Sequence, residues 1–330
     1  VNSVREGSGP ITAGTGGGHG AGRAHGKAIL LGEHTVVYGT PALAFPLPTL
    51  TARAVARLGR PERGRDSRAA QHFRFVAGDS LTASSGAHVA VEEALRRWGL
   101  ADEVVEVLLD CEIPPARGLG SSAACAAAAV RAVADLYGRA IGPDALYELV
   151  QCGEQFAHGR ASGVDASAAV ATGPIRFQAG KARELAVGLD ATLVIADTGT
   201  AGATQHAVAA VRRKLDADRR AADRLLERAA NLIESAAVEL AAGHTESLGK
   251  TLLEFQSLLA ELGVSTPEID TLVTAAFDAG AYGAKLTGGG LGGCVLALTE
   301  TGDGAAHVRA ALHRAGAVRT WIVPIRGTQP

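Results

Sequence analysis

Ile113-Pro114-Pro115-Ala116-Arg117-Gly118-Leu119-Gly120-Ser121-Ser122-Ala123 joins an apolar, β-prone run to an Ala-rich helical one. Two prolines stiffen the end of the strand, and two glycines permit a tight turn without a clashing Cβ. A helix then starts at the serines. Its first N–H groups lack intrahelical partners and form the positive end of the helix dipole, an arrangement that attracts phosphate. The serine hydroxyls can cap the helix, bind phosphate or hold Mg²⁺. A plain loop with an N-cap serine explains one serine but not the paired glycines and prolines.

Working outward, strands and helices alternate. Lys27–Leu31, Ala52–Leu58, Val104–Leu109 and Val170–Phe177 read as strands, and Ala87–Trp98, Ser122–Tyr137 and Pro143–His158 as helices. Beyond Leu189 come a strand at Leu193–Ala196 and a helical stretch, Thr204–Ala242, with breaks. A helix opened by Ser265, Pro267 and Glu268 ends near Gly280. Strands Ala284–Thr287, Cys294–Leu298 and Thr320–Pro324 surround a helix at Gly304–Ala315. The expectation is two α+β domains, 23–188 and 189–330. A flexible tail is expected over 1–22, which is rich in Gly, Ser, Thr and Ala and poor in large apolar side chains. Arg60–Ala70 reads as a charged surface loop.

Two further stretches are rich in glycine or in chemistry. Lys285-Leu286-Thr287-Gly288-Gly289-Gly290-Leu291-Gly292-Gly293-Cys294 satisfies GxGxxG formally, but a β-prone run follows it, so a strand–loop–strand turn shaping a pocket wall through Gly288 and Gly289 is the better reading than a dinucleotide site. Gly26-Lys27-Ala28-Ile29-Leu30-Leu31-Gly32-Glu33-His34 starts a short apolar strand with a cation and ends it with an acid–imidazole pair. It is not a P-loop, since Ala21 and Ala28 stand at two required positions. Glu154 and Asp165 place two carboxylates on either side of a turn that Gly159 and Gly163 allow. Phosphoryl transfer needs both a metal ligand and a group that orients or deprotonates the attacking hydroxyl, and two carboxylates can divide those tasks. Read alone, Glu154 also suits a surface helix, and Asp165 a helix N-cap before Ala166–Ala171.

Composition excludes several classes. A net charge of −2 with 20% charged residues gives polyanions little to bind, so nucleic acid is not an expected partner. No apolar run is long enough for a membrane helix, and no secretory leader is expected. Cys111, Cys125, Cys152 and Cys294 are scattered, which fits a reducing cytoplasm better than a zinc site or disulfide framework.

Together the pieces resemble the GHMP kinase superfamily over about residues 25–325, and within it the mevalonate kinases. PPARGLGSSA at 114–123 carries the superfamily motif. Lys27 with GEHTVVYG, in place of the GEHTDY of galactokinases, and HGxxSGxD from His158 to Asp165 are similar to mevalonate kinases. The resemblance implies an N-terminal domain of the ribosomal protein S5 domain 2-like type and a ferredoxin-like C-terminal domain, with the active site in the cleft between them. It implies ATP and mevalonate as substrates, Mg²⁺ as cofactor, and leaves a homodimer open. By position it makes Asp165 the catalytic base and Lys27 its active-site lysine. Pro115, Ala116, Arg117, Gly118, Leu119, Gly120, Ser121 and Ser122 become the phosphate loop, with Ser122 and Glu154 on the metal. Glu33, His34, Thr204, Gly288 and Gly289 fall beside the substrate, although Thr204 alone reads equally as an N-cap. A kinase for homoserine, a sugar or phosphomevalonate, and a non-catalytic sensor on the same fold, are the alternatives.

Overall fold

The computed structural model describes residues 18–59, 72–77, 81–159 and 161–327. The expected loop at Arg60–Ala70 and most of the expected tail lie outside them. Among the described residues no helix is long and apolar enough to cross a membrane.

The N-terminal half is a six-stranded sheet backed by helices. Its hub is β2 (Ala42–Leu58), which follows β1 (His19–Leu31) and pairs antiparallel with it along nearly its whole length. On its other side β2 pairs with β5 (Ile175–Gln178) through Ala42–Ala44 and with β4 (Val105–Cys111) through Ala52–Leu58. β3 (His72–Ala77) and β6 (Lys181–Glu184) end the path of paired strands, and β1 forms the edge on the other side of β2. In β2, Ala52, Ala54 and Ala56 point inward while Arg53, Val55 and Arg57 point out, the period of two that a half-buried strand requires.

Helices α1 (Leu81–Arg97), α2 (Ser121–Leu136), α3 (Pro143–His158) and α4 (Val164–Val170) pack with this sheet and with one another. α2 is central, and all but one residue from Ala123 to Ala134 are buried. Its alanines let β1 lie almost against the helix backbone. A Cβ on Gly20 would fall 2.2 Å from Ala132 O, and one on Gly22 would fall 2.0 Å from Ala128 O. This corrects the expected tail: the strand begins at His19, inside 1–22. The contact there is backbone against backbone, so a count of large apolar side chains misses it.

The C-terminal half carries four antiparallel strands, β7 (Ala191–Asp197), β8 (Gly283–Thr287), β9 (Cys294–Thr299) and β10 (Arg319–Ile325), in the order β10-β7-β9-β8. With helices joining β7 to β8 and β9 to β10, this is the split βαβ arrangement of the ferredoxin-like fold. The helices are α5 (Thr204–Ala217), α6 (Arg219–Ala242), α7 (Thr245–Glu261), α8 (Pro267–Asp278) and α9 (Asp303–Arg314).

Local differences from the sequence reading have local causes. Asp218 breaks the expected long helix and caps α6, accepting from Ala221 N at 3.0 Å. Thr266 rather than Ser265 caps α8; the Ser265 hydroxyl donates instead to Asp270. The strand expected from Val170 starts only at Ile175, because Gly163 in a left-handed conformation opens α4 and its alanines extend it. α7 has no counterpart among the expected helices, although Leu248, Leu252, Phe255 and Leu259 bury one face of it.

One continuous hydrophobic core joins the halves. A polar link reinforces it: the buried Thr287 hydroxyl accepts from Ile29 N and donates to Ile29 O, both at 3.0 Å. Thr287→Val keeps the shape but strands these backbone groups. The expected cost is about 1–3 kcal/mol, read as a lower midpoint in urea. An unchanged midpoint would mean that this link contributes nothing.

Candidate active site

Between the two sheets lies a cavity of about 450 Å³. Its floor is the turn after β4. Gly120, with φ of +75°, is the residue before α2, and no side chain caps that helix. Ser121 is therefore the first helical residue rather than the cap, and the helix start, whose leading N–H groups lack intrahelical partners, lines the cavity through Gly120, Ser121 and Ser122. Gly120 is needed twice, for its backbone conformation and because a Cβ there would come within 2.9 Å of Lys27 Cγ.

Lys27 reaches the cavity from β1 and is 2% exposed. Its Nζ lies 2.8 Å from Asp165 Oδ1 and donates to Gly118 O at 3.0 Å. Strand, phosphate turn and α4 thus meet at one ammonium. Asp165 sits in the first turn of α4, and Gly163 holds the N-cap position, so the capping role is not taken by Asp165.

Glu154 comes from α3 and is buried. Burial, aided by the Asp165 charge, pushes its carboxyl up to about 7, against the pull of Ser122 and Lys27. Its Oε1 and the Ser122 hydroxyl are both buried and without a hydrogen-bond partner of good geometry among the described residues. Orphaned buried polar atoms call for a missing partner. Two oxygen donors beside a phosphate-suited turn fit Mg²⁺, which takes few protein ligands and completes its shell with phosphate oxygens and water.

The opposite wall is built around Glu33 and His34. His34 is held in the left-handed region at φ of +62°, a strained setting for a non-glycine residue. Its Nε2 lies 3.0 Å from Gly289 O. A carbonyl only accepts, so the proton is on Nε2 and Nδ1 is left as an acceptor. Burial, with a smaller contribution from the Lys285 charge, lowers the imidazole to about 4, against the Gly289 carbonyl, so it is neutral near pH 7. Glu33 is buried in an ion pair with Lys285 of β8. Thr204 is the first residue of α5, where Ala203 occupies the N-cap, and its hydroxyl stands over Gly289.

Lys27, Glu33, His34, Ala116, Gly118, Gly120, Ser121, Ser122, Glu154, Asp165, Thr204, Gly288 and Gly289 all line the cavity. Three predicted phosphate-loop residues do not. Pro115 is exposed at the turn. Leu119 is buried in the core and offers only its carbonyl, which accepts from Lys27 N. The Arg117 guanidinium turns to the C-terminal half, where Nε lies 2.8 Å from Asp197 Oδ1 and Nη2 donates to Gly199 O. A buried carboxylate outcompetes solvent for it. Several lining residues went unread, among them Gln151, which shares one helical face with Glu154 and His158, and also Gln205 and His206. The i, i+3 spacing of polar residues along α3 is the signal that finds the first.

The chain matches the GHMP kinases N terminal domain over residues 85–173 and the GHMP kinases C terminal domain over 236–318. It is 35% identical over 287 residues to the mevalonate kinase of Aeropyrum pernix, covering 85% of this chain and 88% of that one. The chain belongs to the mevalonate kinase family of GHMP kinases. Among solved structures, a mevalonate kinase from methicillin-resistant Staphylococcus aureus is 30% identical, with a TM-score of 0.70 over 92% of this chain and 98% of that one. The L. major mevalonate kinase solved with R-mevalonate has a TM-score of 0.82 over 97% of this chain and 100% of that one; at 22% identity it speaks for the GHMP kinase fold alone. The expected two-domain GHMP kinase fold is the one observed.

Proposed function

We propose that this GHMP kinase transfers the γ-phosphoryl group of ATP to the primary hydroxyl of (R)-mevalonate, giving 5-phosphomevalonate. The observation that carries the reading is the Lys27–Asp165 contact at 2.8 Å, opening on a cavity floored by an uncapped helix N-terminus. Family membership and the names of the relatives support the acceptor.

The amides of Gly118–Ser122 and the α2 dipole hold the β- and γ-phosphates. Ser122 and Glu154 hold Mg²⁺, which when bound neutralises charge on the phosphoryl oxygens. Glu33 and the neutral His34 line the acceptor side. The acceptor hydroxyl attacks phosphorus in line, the bond to ADP breaks, and the proton passes to Asp165. An alcohol is a far weaker acid than a carboxylic acid, so the proton leaves late, as a loose transition state permits. Lys27 stabilises both Asp165 and the charge that develops. Scattered thiols lead us to place the enzyme in the cytoplasm.

A coupled ADP-release assay with mevalonate, phosphomevalonate, homoserine and galactose tests the reading. Preference for mevalonate is expected; turnover of another acceptor alone would overturn it. Glu154→Gln is expected to raise the Mg²⁺ concentration for half-maximal rate by about 10-fold or more. An unchanged Mg²⁺ titration would remove Glu154 from the metal.

A further inference from the structure

Lys285 is fully buried, yet it stands directly behind the cavity wall. Its ammonium pairs with Glu33 Oε1, donates to Leu286 O, and lies 5.7 Å from the centre of the Phe255 ring. All three partners fix it. Glu33 lines the cavity, and its second oxygen, Oε2, is buried without a hydrogen-bond partner among the described residues. A buried ion pair is poor evidence of a stabilising role, since desolvation cancels much of the attraction. A pair with one oxygen occupied and the other unpartnered behind a cavity-lining residue suits a different task.

We propose that Lys285 is a positioning residue for the acceptor substrate: it clamps Oε1 of Glu33 and leaves Oε2 to accept a hydrogen bond from an acceptor hydroxyl. The inference rests on the kinase reading and deepens it by assigning a residue to the acceptor side of the site. His34, the next residue, also lines the cavity, with Nδ1 left as an acceptor. Acceptors on this side suit a ligand that brings hydroxyl donors rather than a second phosphate.

The electrostatics support the geometry. Burial pushes the Glu33 carboxyl above its ordinary range and the Lys285 ammonium below its own, and the pairing of the two opposes both shifts. The charged or titratable groups around the pair are Lys27 on β1 and His34 beside Glu33, while α7 contributes Phe255 and Gln256, both uncharged. Lys27 is already engaged by Asp165 and Gly118. With Lys285 gone, the main opposition to the upward push on the Glu33 carboxyl is lost.

The experiment compares Lys285→Met, Lys285→Arg and the double variant Glu33→Gln/Lys285→Met with wild type. It measures steady-state KM for acceptor and for ATP between about pH 6 and pH 9, and mevalonate binding without ATP by calorimetry. Lys285→Met is expected to raise the acceptor KM and Kd by about 10-fold or more, the loss of a charged hydrogen bond, with ATP KM within about threefold. Its acceptor kcat/KM should climb as pH rises and Glu33 ionises. The double variant should show the weak acceptor binding but no such climb, and Lys285→Arg should restore part of the affinity. Equal effects on ATP and acceptor, wild-type acceptor affinity in Lys285→Met, or a pH climb that survives in the double variant would overturn the proposal. If Lys285→Met does not fold, the double variant, which leaves no unpaired charge, decides through its acceptor KM: wild-type affinity there overturns the proposal. Turnover by wild type of a different acceptor sinks only the mevalonate assignment, and the same variants are then measured on that acceptor.

Discussion

Asp165→Asn is expected to lower kcat by at least about 10²-fold, the usual scale for a positioned acid–base group. The substitution keeps volume and leaves the first turn of α4 intact, since Gly163 rather than Asp165 holds the N-cap. It removes the group proposed to take the acceptor proton, and replaces the charged contact with Lys27 Nζ by a neutral one. The amides of the phosphate turn are untouched, so ATP binding should change little. Nucleotide titration in the absence of acceptor checks that half, and single-turnover kinetics the other. Near-native turnover would take Asp165 out of the mechanism.

Lys27→Met should be at least as damaging, with a kcat loss of about 10²- to 10³-fold, the range found when one electrostatic stabiliser of a transition state is removed. Methionine retains most of the apolar stem that packs against Gly120. What goes is the ammonium that ties Gly118 O to Asp165 and that opposes the upward push on Glu154. Both carboxylates then face one another with no cation between them. The loss should therefore appear in kcat and also as a raised Mg²⁺ requirement, whereas Asp165→Asn, which removes a charge that helps push Glu154 up, should not raise that requirement. Circular dichroism and a urea midpoint near wild type would exclude unfolding as the cause. A Lys27→Met enzyme within about threefold of wild-type kcat would end the electrostatic role.

These two variants separate groups that the sequence places far apart. Lys27 and Asp165 belong to different motifs, yet both are legible because each motif is locally unusual: a cation opening a buried strand, and an acid after a glycine-flanked turn. The same holds for the floor of the site. Gly118, Gly120 and Ser121 sit in a turn whose conformation follows from backbone permissiveness and helix initiation, both short-range effects. Arg117 is the instructive exception inside that motif. Its neighbours in sequence are phosphate-suited, but its long side chain can choose among partners within several ångströms, and Asp197, 80 positions onward, captures it. Gly20 and Gly22 mislead in the opposite sense. Their lack of side chains looks like a tail until the alanines of α2 are set against them.

Much of the order of strands and helices, the glycine turn into α2 and the identity of the acids and cations were written in the chain itself, because φ/ψ preference and hydrophobic period act over a few residues. Which of those charges would meet was decided only when β8 docked beside β1 and brought Lys285 against Glu33 across 252 positions. Pairing of that kind depends on the packing of two sheets, and in a buried site a charge takes its partner from whatever the fold sets within reach, at any distance along the chain.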